Sequence, residues 1–355
     1  PDPRNHYWRN LGSGTFVASD AWSGITVWDD GDYTFGPIFT DIDGDGWQDL
    51  LVASDLGTTQ YFINDQTGVQ VLSTTEVIDD QFGMGIASGD MDNDGDIDWF
   101  VTSIYDHPND PHANPRTGNR LYINGGSGGF SEVSAAAGVR DGQWGWGACA
   151  ADFNNDGWLD LFHVNGMHPV LGEPMLYLDD PSRLFVNNAD GTYTESAAAL
   201  GVADTGLGRG VVCFDYDMDG DIDIFIANNS GPSRLYRNDL EPNPGYLQVG
   251  LIRFPRSHTV AGSIIEIDIG ATTQMREITI GSNFVSQNPL LQHFGLGGAP
   301  LVDALRVKWP DGQTTTLEQI AINQRLTIDQ LPLHLKNGFE QEFNDDPESS
   351  PQELE

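Results

Sequence analysis

The chain has 355 residues and a formal net charge of −37 at pH 7, because 53 aspartates and glutamates face only 16 lysines and arginines. An acidic surface of this kind repels phosphate backbones, whose recognition depends on clustered basic side chains, so we expect no nucleic-acid partner. Hydrophobic residues make up 39% of the chain, and no apolar run reaches the roughly 18 residues that span a bilayer, so we expect a folded protein without a membrane span.

A nine-residue acidic pattern, Asp-x-Asp-x-Asp-Gly-x-x-Asp, occurs four times, with asparagine at the third position of the third copy. The copies span residues 41–49, 90–98, 152–160 and 215–223. Each copy is followed by a short run of branched and aromatic residues, which is typical of a β-strand. Repetition at intervals of about 50 to 60 residues indicates a repeat architecture.

A second recurring element is an aromatic residue two positions before an asparagine. It occurs five times, as Trp8 and Asn10, Phe62 and Asn64, Tyr122 and Asn124, Phe185 and Asn187, and Tyr236 and Asn238. Three copies lead into a glycine-rich turn and a further aromatic residue, which predicts a β-hairpin. About four short strands per repeat favour a β-propeller over a β-sandwich, and the repeats account for four to five blades.

The acidic pattern predicts a metal-binding loop. Carboxylates so closely spaced repel one another unless a cation neutralises them, and an all-oxygen ligand set suits calcium. Positions 1, 3, 5 and 9 are expected to supply side-chain oxygens and position 7 a backbone carbonyl, while glycine at position 6 allows a sharp turn. We expect about four Ca²⁺ sites. The predicted ligands are Asp41, Asp43, Asp45, Trp47, Asp49, Asp90, Asp92, Asp94, Asp96, Asp98, Asp152, Asn154, Asp156, Trp158, Asp160, Asp215, Asp217, Asp219, Asp221 and Asp223.

These motifs resemble the FG-GAP/VCBS repeats of calcium-binding β-propellers, a class that includes the integrin α-subunit head. Further along, His293-Phe-Gly-Leu-Gly297 and Trp309-Pro-Asp-Gly312 resemble the ASPIC/UnbV domain of cartilage-acidic-protein-like (CRTAC-like) proteins. The resemblance implies an all-β fold, in which a propeller is followed by a β-rich ASPIC/UnbV domain. It also implies an extracellular, calcium-stabilised module for binding or adhesion.

We therefore expect three parts in the chain. Residues 1–240 form the propeller, residues 241–332 form the ASPIC/UnbV-like β domain, and residues 333–355 form an acidic, disordered tail. Whether the strands of the second part add blades or stand apart is left open by the sequence.

Two neighbouring repeats carry about a dozen extra residues at the same corner, in Tyr105 to Gly118 and Gly166 to Asp180. Equivalent corners of adjacent blades face the same side, so we expect these insertions to lie side by side and to carry the specific function. The candidate ligand-binding side chains in them are His107, His112, Arg116, His168 and Glu173.

The two cysteines, Cys149 and Cys213, lie three and two residues before the first aspartate of their loops. Side chains alternate along a strand, so in equivalent strands these two point to opposite faces. We expect no disulfide between them.

The sequence contains no phosphate loop or dinucleotide fingerprint. We therefore expect a binding or adhesion module for a protein or glycan, secreted to the extracellular space or the periplasm, rather than an enzyme. The alternative is a propeller-based enzyme of the lyase or cyclase type, with a pocket under the insertions at 105–118 and 166–180. That alternative depends on analogy of fold alone.

Overall fold

The computed structural model describes residues 8–18, 33–66, 69–71 (backbone only), 77–106, 116–168, 177–242, 244–253 and 259–330. These residues form an all-β protein with two helices of four residues each, which confirms the expected fold class. Among them, no helix has the length and hydropathy needed to cross a bilayer. The expected acidic tail lies outside the described residues.

The chain begins with a hairpin and continues with four antiparallel sheets, called blades 1 to 4. The hairpin pairs β1 (Trp8–Asn10) with β2 (Phe16–Ala18). Blade 1 contains β3 (Thr34–Thr40), β4 (Asp49–Ser54), β5 (Gln60–Asn64) and β6 (Val69–Val71). Blade 2 contains β7 (Ile86–Gly89), β8 (Asp98–Val101), β9 (Arg120–Asn124) and β10 (Phe130–Glu132), followed by α1 (Ser134–Ala137).

Blades 3 and 4 repeat this order. Blade 3 contains β11 (Gly145–Ala151), β12 (Asp160–Asn165), β13 (Arg183–Asn187) and β14 (Tyr193–Glu195), followed by α2 (Ala197–Leu200). Blade 4 contains β15 (Gly208–Phe214), β16 (Asp223–Asn228) and β17 (Arg234–Tyr236). In every blade the acidic pattern connects the first and second strands. The aromatic residue of the second element lies on the third strand, and its asparagine lies on that strand or, in blade 4, two residues after it.

Successive blades stack through their apolar faces. Phe100 and Leu121 of blade 2 are buried in one cluster with Leu161 and Phe185 of blade 3. Phe162 of blade 3 is buried in the same way in a cluster with residues of blade 4. The branched and aromatic runs after each acidic loop are therefore the core between blades, which explains why they are continuous rather than alternating.

The expectation about the cysteines was wrong, because Cys149 and Cys213 form a disulfide with 6.5 Å between their Cα atoms. Cys149 lies on β11 and Cys213 on β15, the first strands of blades 3 and 4. The two side chains do occupy opposite faces of equivalent strands, as alternation requires. However, successive blades meet by opposite faces, so this arrangement brings the sulfur atoms together.

The disulfide leads to a direct prediction. The intact mass of the non-reduced protein is expected to be lower by two hydrogen atoms than that of the reduced protein. A Cys149→Ser variant is expected to show no such difference between its two forms. A wild-type mass that does not change on reduction would contradict the bond.

Two further sheets follow blade 4. One contains β18 (Gly245–Ile252), β21 (Gln292–Gly297) and β24 (Gln324–Asp329), with β18 and β24 parallel. The other contains β19 (Ile264–Ile269), β20 (Thr272–Glu277), β22 (Leu301–Lys308) and β23 (Thr314–Ala321). The two sheets enclose their own apolar cluster, which includes Leu247, Phe294 and Trp309. These strands, here called the C-terminal unit, therefore share an apolar core of their own.

A segment of the C-terminal unit lies against the first strands of the blades. The backbone of Asn283 pairs with that of Ile86 in blade 2, and its side-chain amide donates to the carbonyl of Val211 in blade 4 at 2.8 Å. The Ser286 hydroxyl and the Asn288 side-chain oxygen accept hydrogen bonds from further amides of β15. The C-terminal unit is thus held in contact with both blades.

Candidate metal centre

The four acidic loops share one backbone geometry. In each, the carboxylate at position 1 accepts hydrogen bonds from two amides of the same loop, one of them always that of the glycine at position 6. In the second loop, for example, Asp90 accepts from Asp94 at 3.0 Å and from Gly95 at 3.2 Å. The glycines at position 6 all have φ between +88° and +96°, a left-handed conformation that favours glycine. The loop therefore curls around the position-1 carboxylate.

The closing aspartate at position 9 has a different role from the other carboxylates. Its side chain is fully buried in all four loops. One oxygen accepts from the amide at position 2, and the other accepts from the amide of the repeated asparagine on or just after the third strand. In blade 2, Asp98 accepts from Met91 at 2.7 Å and from Asn124 at 2.9 Å. Each closing aspartate thus connects its loop to the third strand of its own blade.

The repeated asparagine was recognised in the sequence without a role, and the structure supplies one. The side-chain amide of Asn124 in blade 2 donates to the carbonyl of Ile42 in the loop of blade 1 at 2.8 Å. Asn187 makes the same bond to Met91, and Asn238 makes it to Phe153. These asparagines therefore connect each loop to the next blade. The feature of the sequence that marked them is their fixed spacing from the aromatic residue.

Three of the four loops bring three carboxylates close enough to share an ion. The sets are Asp41, Asp43 and Asp45; Asp90, Asp92 and Asp94; and Asp215, Asp217 and Asp223. Within each set, one oxygen from every residue lies within 4.8 Å of the others. In the third loop Asn154 takes the place of a carboxylate, as the sequence indicated. The residues present fit a hard divalent cation with oxygen ligands.

One predicted ligand, Asp221 at position 7 of the fourth loop, uses its side chain in hydrogen bonds with protein groups. The Asp221 carboxylate accepts hydrogen bonds from Leu240 N at 2.8 Å and from Asn155 Nδ2 at 3.0 Å. Asp96, Trp47 and Trp158 occupy the same position 7 in the other loops, where the backbone carbonyl is the expected ligand. Assignment of the complete ligand shell remains a prediction.

Burial changes the acidity of the loop carboxylates. It raises the pKa of Asp49, Asp90 and Asp152 to about 7 and that of Asp98 to about 8. Neighbouring aspartates of the same loop raise these values further, because ionising one carboxyl places a second negative charge beside the first. Without a cation these groups are therefore partly protonated near neutral pH.

Calcium affinity is accordingly expected to depend on pH. A carboxyl whose pKa is raised by folding binds its proton more tightly in the folded state. Its contribution to the stability of the metal-free fold is complete below the unfolded pKa of about 4 and is lost as the pH rises towards 7 to 8. Calcium requires the ionised carboxylates, so its affinity should rise over the same interval, by at least about tenfold between pH 5.5 and pH 8. Direct calcium titration of metal-free protein at both pH values measures this. Equal affinities would contradict it.

The loops also contact the C-terminal unit. Glu277 accepts hydrogen bonds from Thr40 Oγ1 and from Gln48 Nε2 at the first loop. Gln248 Nε2 donates to the Asp215 carboxylate at 2.7 Å in the fourth loop, and His293 Nε2 lies 2.6 Å from Asn155 Oδ1 in the third. Sequence reasoning missed these contacts, because they join residues far apart along the chain.

One cation of the C-terminal unit is buried near two of the loops. Arg276 is 6% exposed, and its guanidinium lies over the Phe294 ring at 5.2 Å. Its charge opposes the effect of burial on the pKa of Asp90 in the second loop and of Asp152 in the third. It therefore supplies part of the positive charge that these loops require.

The predicted ligand-binding insertions are described only at their ends. Their ends meet as expected: the Tyr177 hydroxyl donates to the Tyr105 carbonyl at 3.0 Å, and the Tyr177 ring packs against Trp144. Arg116 lies over the Trp144 ring at 5.6 Å, and His168 is exposed. The other three candidates, His107, His112 and Glu173, lie outside the described residues.

Two family models match parts of the chain. The model described as ASPIC and UnbV matches residues 256–332, and the model described as an FG-GAP-like repeat matches residues 41–101 and 112–163. Both matches agree with the motifs quoted above. The acidic loops of blades 1 to 3 fall within the second match.

Curated relatives are about one quarter identical to the chain over the aligned residues. Cartilage acidic protein 1 of Homo sapiens is 25% identical over 333 residues, covering 74% of this chain and 48% of that protein. The Mus musculus protein of the same name is 26% identical over 332 residues, covering 83% and 46%. The chain spans about half the length of the curated relatives it matches.

One solved structure shows a weaker likeness. The V. cholerae biofilm matrix protein Bap1 is 12% identical, with a TM-score of 0.30, over 81% of this chain and 60% of that protein. A likeness of this degree carries no argument about function.

Proposed function

Since the chain combines FG-GAP-like repeats with a C-terminal ASPIC/UnbV domain and is distantly similar to cartilage acidic protein 1, we propose that it is a secreted calcium-binding module for a protein or glycan partner. The observation that carries the proposal is the convergence of three carboxylates in each of three loops. The third loop, in blade 3, has the same backbone geometry with one carboxamide in place of a carboxylate.

Calcium is the ion that this ligand chemistry supports best. Every side-chain donor in the loops is a carboxylate or carboxamide oxygen, and softer metals prefer nitrogen or sulfur. Bound calcium would neutralise the negative charge of the buried carboxylates. The loop glycines and the closing aspartates hold the donors in place before an ion arrives.

An oxidising compartment is supported by the disulfide between Cys149 and Cys213, since such bonds are rare in reducing cytosol. The extracellular space and the periplasm both satisfy this condition. The net charge of −37 disfavours binding to nucleic acid.

Calcium titration of metal-free protein by calorimetry tests the metal sites. We expect about four ions per chain, with magnesium binding far more weakly at the same concentrations. Asp92→Ala in the second loop should remove one ion, whereas Asp190→Ala, at an exposed turn outside the acidic loops, should remove none. Absence of calcium binding would refute the proposed function.

The binding role is tested separately, by measuring whether the protein binds ligands on a glycan and peptide array with and without EDTA.

The enzymatic alternative is not favoured by an observation among the described residues. Tyr177, at a described end of the second insertion, packs against Trp144, which directly precedes β11, with 5.1 Å between ring centroids.

A further inference from the structure

A cleft of about 620 Å³ lies between the first two acidic loops and the C-terminal unit. Trp47 and Asp96 lie on the loop side, and Lys308 and the Trp309-Pro-Asp-Gly312 turn lie on the other side. Ile97 and Met275 lie beneath the cleft, with side chains that are almost fully buried. The volume is within the usual range of ligand sites, roughly 300 to 1,000 Å³. We infer that this cleft is a binding site for a neutral oligosaccharide.

The two walls of the cleft are held at a fixed distance. Buried Glu277 of the C-terminal unit accepts a hydrogen bond from Gln48 Nε2 at 2.7 Å, next to Trp47 in sequence. Gly262 of the C-terminal unit also lies against Gln48, where an added Cβ would come within 3.3 Å of Nε2. A site with rigid walls loses little freedom when a ligand enters.

Trp47 supplies an aromatic platform. Its side chain is 50% exposed, although the core of the protein accommodates other large aromatic residues completely. Its backbone is fixed by a hydrogen bond from its amide to Asp45 Oδ1 at 2.8 Å. An indole with a fixed backbone and a free face is suited to stacking against the C–H face of a sugar ring.

The polar groups around Trp47 include both donors and acceptors. Lys308 donates to Glu266 at 2.6 Å and has two further N–H groups, and it is 54% exposed. No described group donates a hydrogen bond to the Asp96 carboxylate. A sugar hydroxyl can donate to Asp96 and accept from Lys308, so one ligand can satisfy both.

Charge favours a neutral ligand over an anionic one. The chain carries a net charge of −37, and the cleft has one lysine against several carboxylates. A sulfated or uronic-acid-rich polymer would be repelled. A basic peptide is the alternative ligand, since an arginine or lysine could stack on Trp47. The experiment below therefore includes basic peptides.

The inference deepens the proposed function and rests on it. The experiment uses the whole chain, saturated with calcium, on an array of neutral hexasaccharides built from glucose, xylose, galactose or N-acetylglucosamine, beside arginine-rich and lysine-rich peptides. At least one hexasaccharide should bind. Trp47→Ala should weaken that binding at least tenfold, and Lys308→Met should weaken it severalfold.

Trp158→Ala is the matched control. Trp158 occupies position 7 of the third loop, with the same amide bond to Asp156 Oδ1 at 2.9 Å, but it does not line the cleft. It should leave hexasaccharide binding unchanged. All three variants should keep the calcium stoichiometry, because the predicted ligand at position 7 is the backbone carbonyl, which alanine retains, and Lys308 is not a predicted ligand.

Failure to bind any hexasaccharide would overturn the inference, as would equal binding by wild type and Trp47→Ala. Peptide binding that is lost in Trp47→Ala would assign the cleft to a basic protein segment instead. These outcomes leave the proposed function standing as long as calcium binds, whereas absence of calcium binding would refute the proposed function itself.

Discussion

Removal of calcium with EDTA is expected to lower the melting temperature of the protein by about 20 °C. An ion bound only by the folded state stabilises it by mass action, by about 2.7 kcal/mol for each site at a hundredfold excess over Kd. Four independent sites would contribute about 10 kcal/mol, and each kcal/mol corresponds to about 2 °C in a chain of this size. The buried carboxylates make the effect large, since without the ion they repel one another and resist ionisation.

Thermal melting followed by circular dichroism at pH 7.5 measures this effect. Excess calcium added after EDTA should restore the original melting temperature, and magnesium at the same concentration should restore much less. Equal melting temperatures of the calcium-free and calcium-loaded samples would show that ions in the loops do not stabilise the fold.

Replacement of Asn124 by alanine is expected to destabilise the calcium-loaded protein by about 3 kcal/mol. The fully buried side chain donates to the carbonyls of Ile42 and Ile97 and accepts from the amide of Gly126. The variant leaves the two buried carbonyls and the part-buried Gly126 amide without this partner, at roughly 1 kcal/mol for each. It also removes the connection between blades 1 and 2.

Asn10→Ala is the matched control, since Asn10 has the same place in the repeated element but lies in the exposed hairpin. Its one described side-chain hydrogen bond is from the Gly12 amide at 2.8 Å. Urea unfolding in saturating calcium should therefore show a change below about 0.5 kcal/mol for Asn10→Ala. Equal decreases in the free energy of unfolding for the two variants would show that the hydrogen bond between blades does not contribute to stability.

Most of the propeller could be predicted from the sequence, because its determinants are local and repeated. Four acidic loops with identical glycine spacing predicted a strand after each loop, and the aromatic and asparagine element predicted a hairpin. The same repetition marked Asn124 and its equivalents as important. Their role was not predictable, because the carbonyl that each one contacts belongs to the preceding repeat.

The error about Cys149 and Cys213 has the same origin. Alternation along a strand gave the correct face for each cysteine within its own blade. The relation between blades is a property of packing, and it brings opposite faces together. A rule for one sheet could not predict a bond between two sheets.

The amino-acid sequence by itself determined the loop chemistry, the order of the strands and the acidic character of the surface, since these depend on residues close together in the chain. Only the tertiary structure decided that the C-terminal unit forms its own two sheets and that Glu277, Gln248 and His293 reach the loops. It also decided that Trp47 faces a cleft. Such contacts join positions more than 30 residues apart, and no local pattern encodes which distant surfaces will meet when apolar faces are buried.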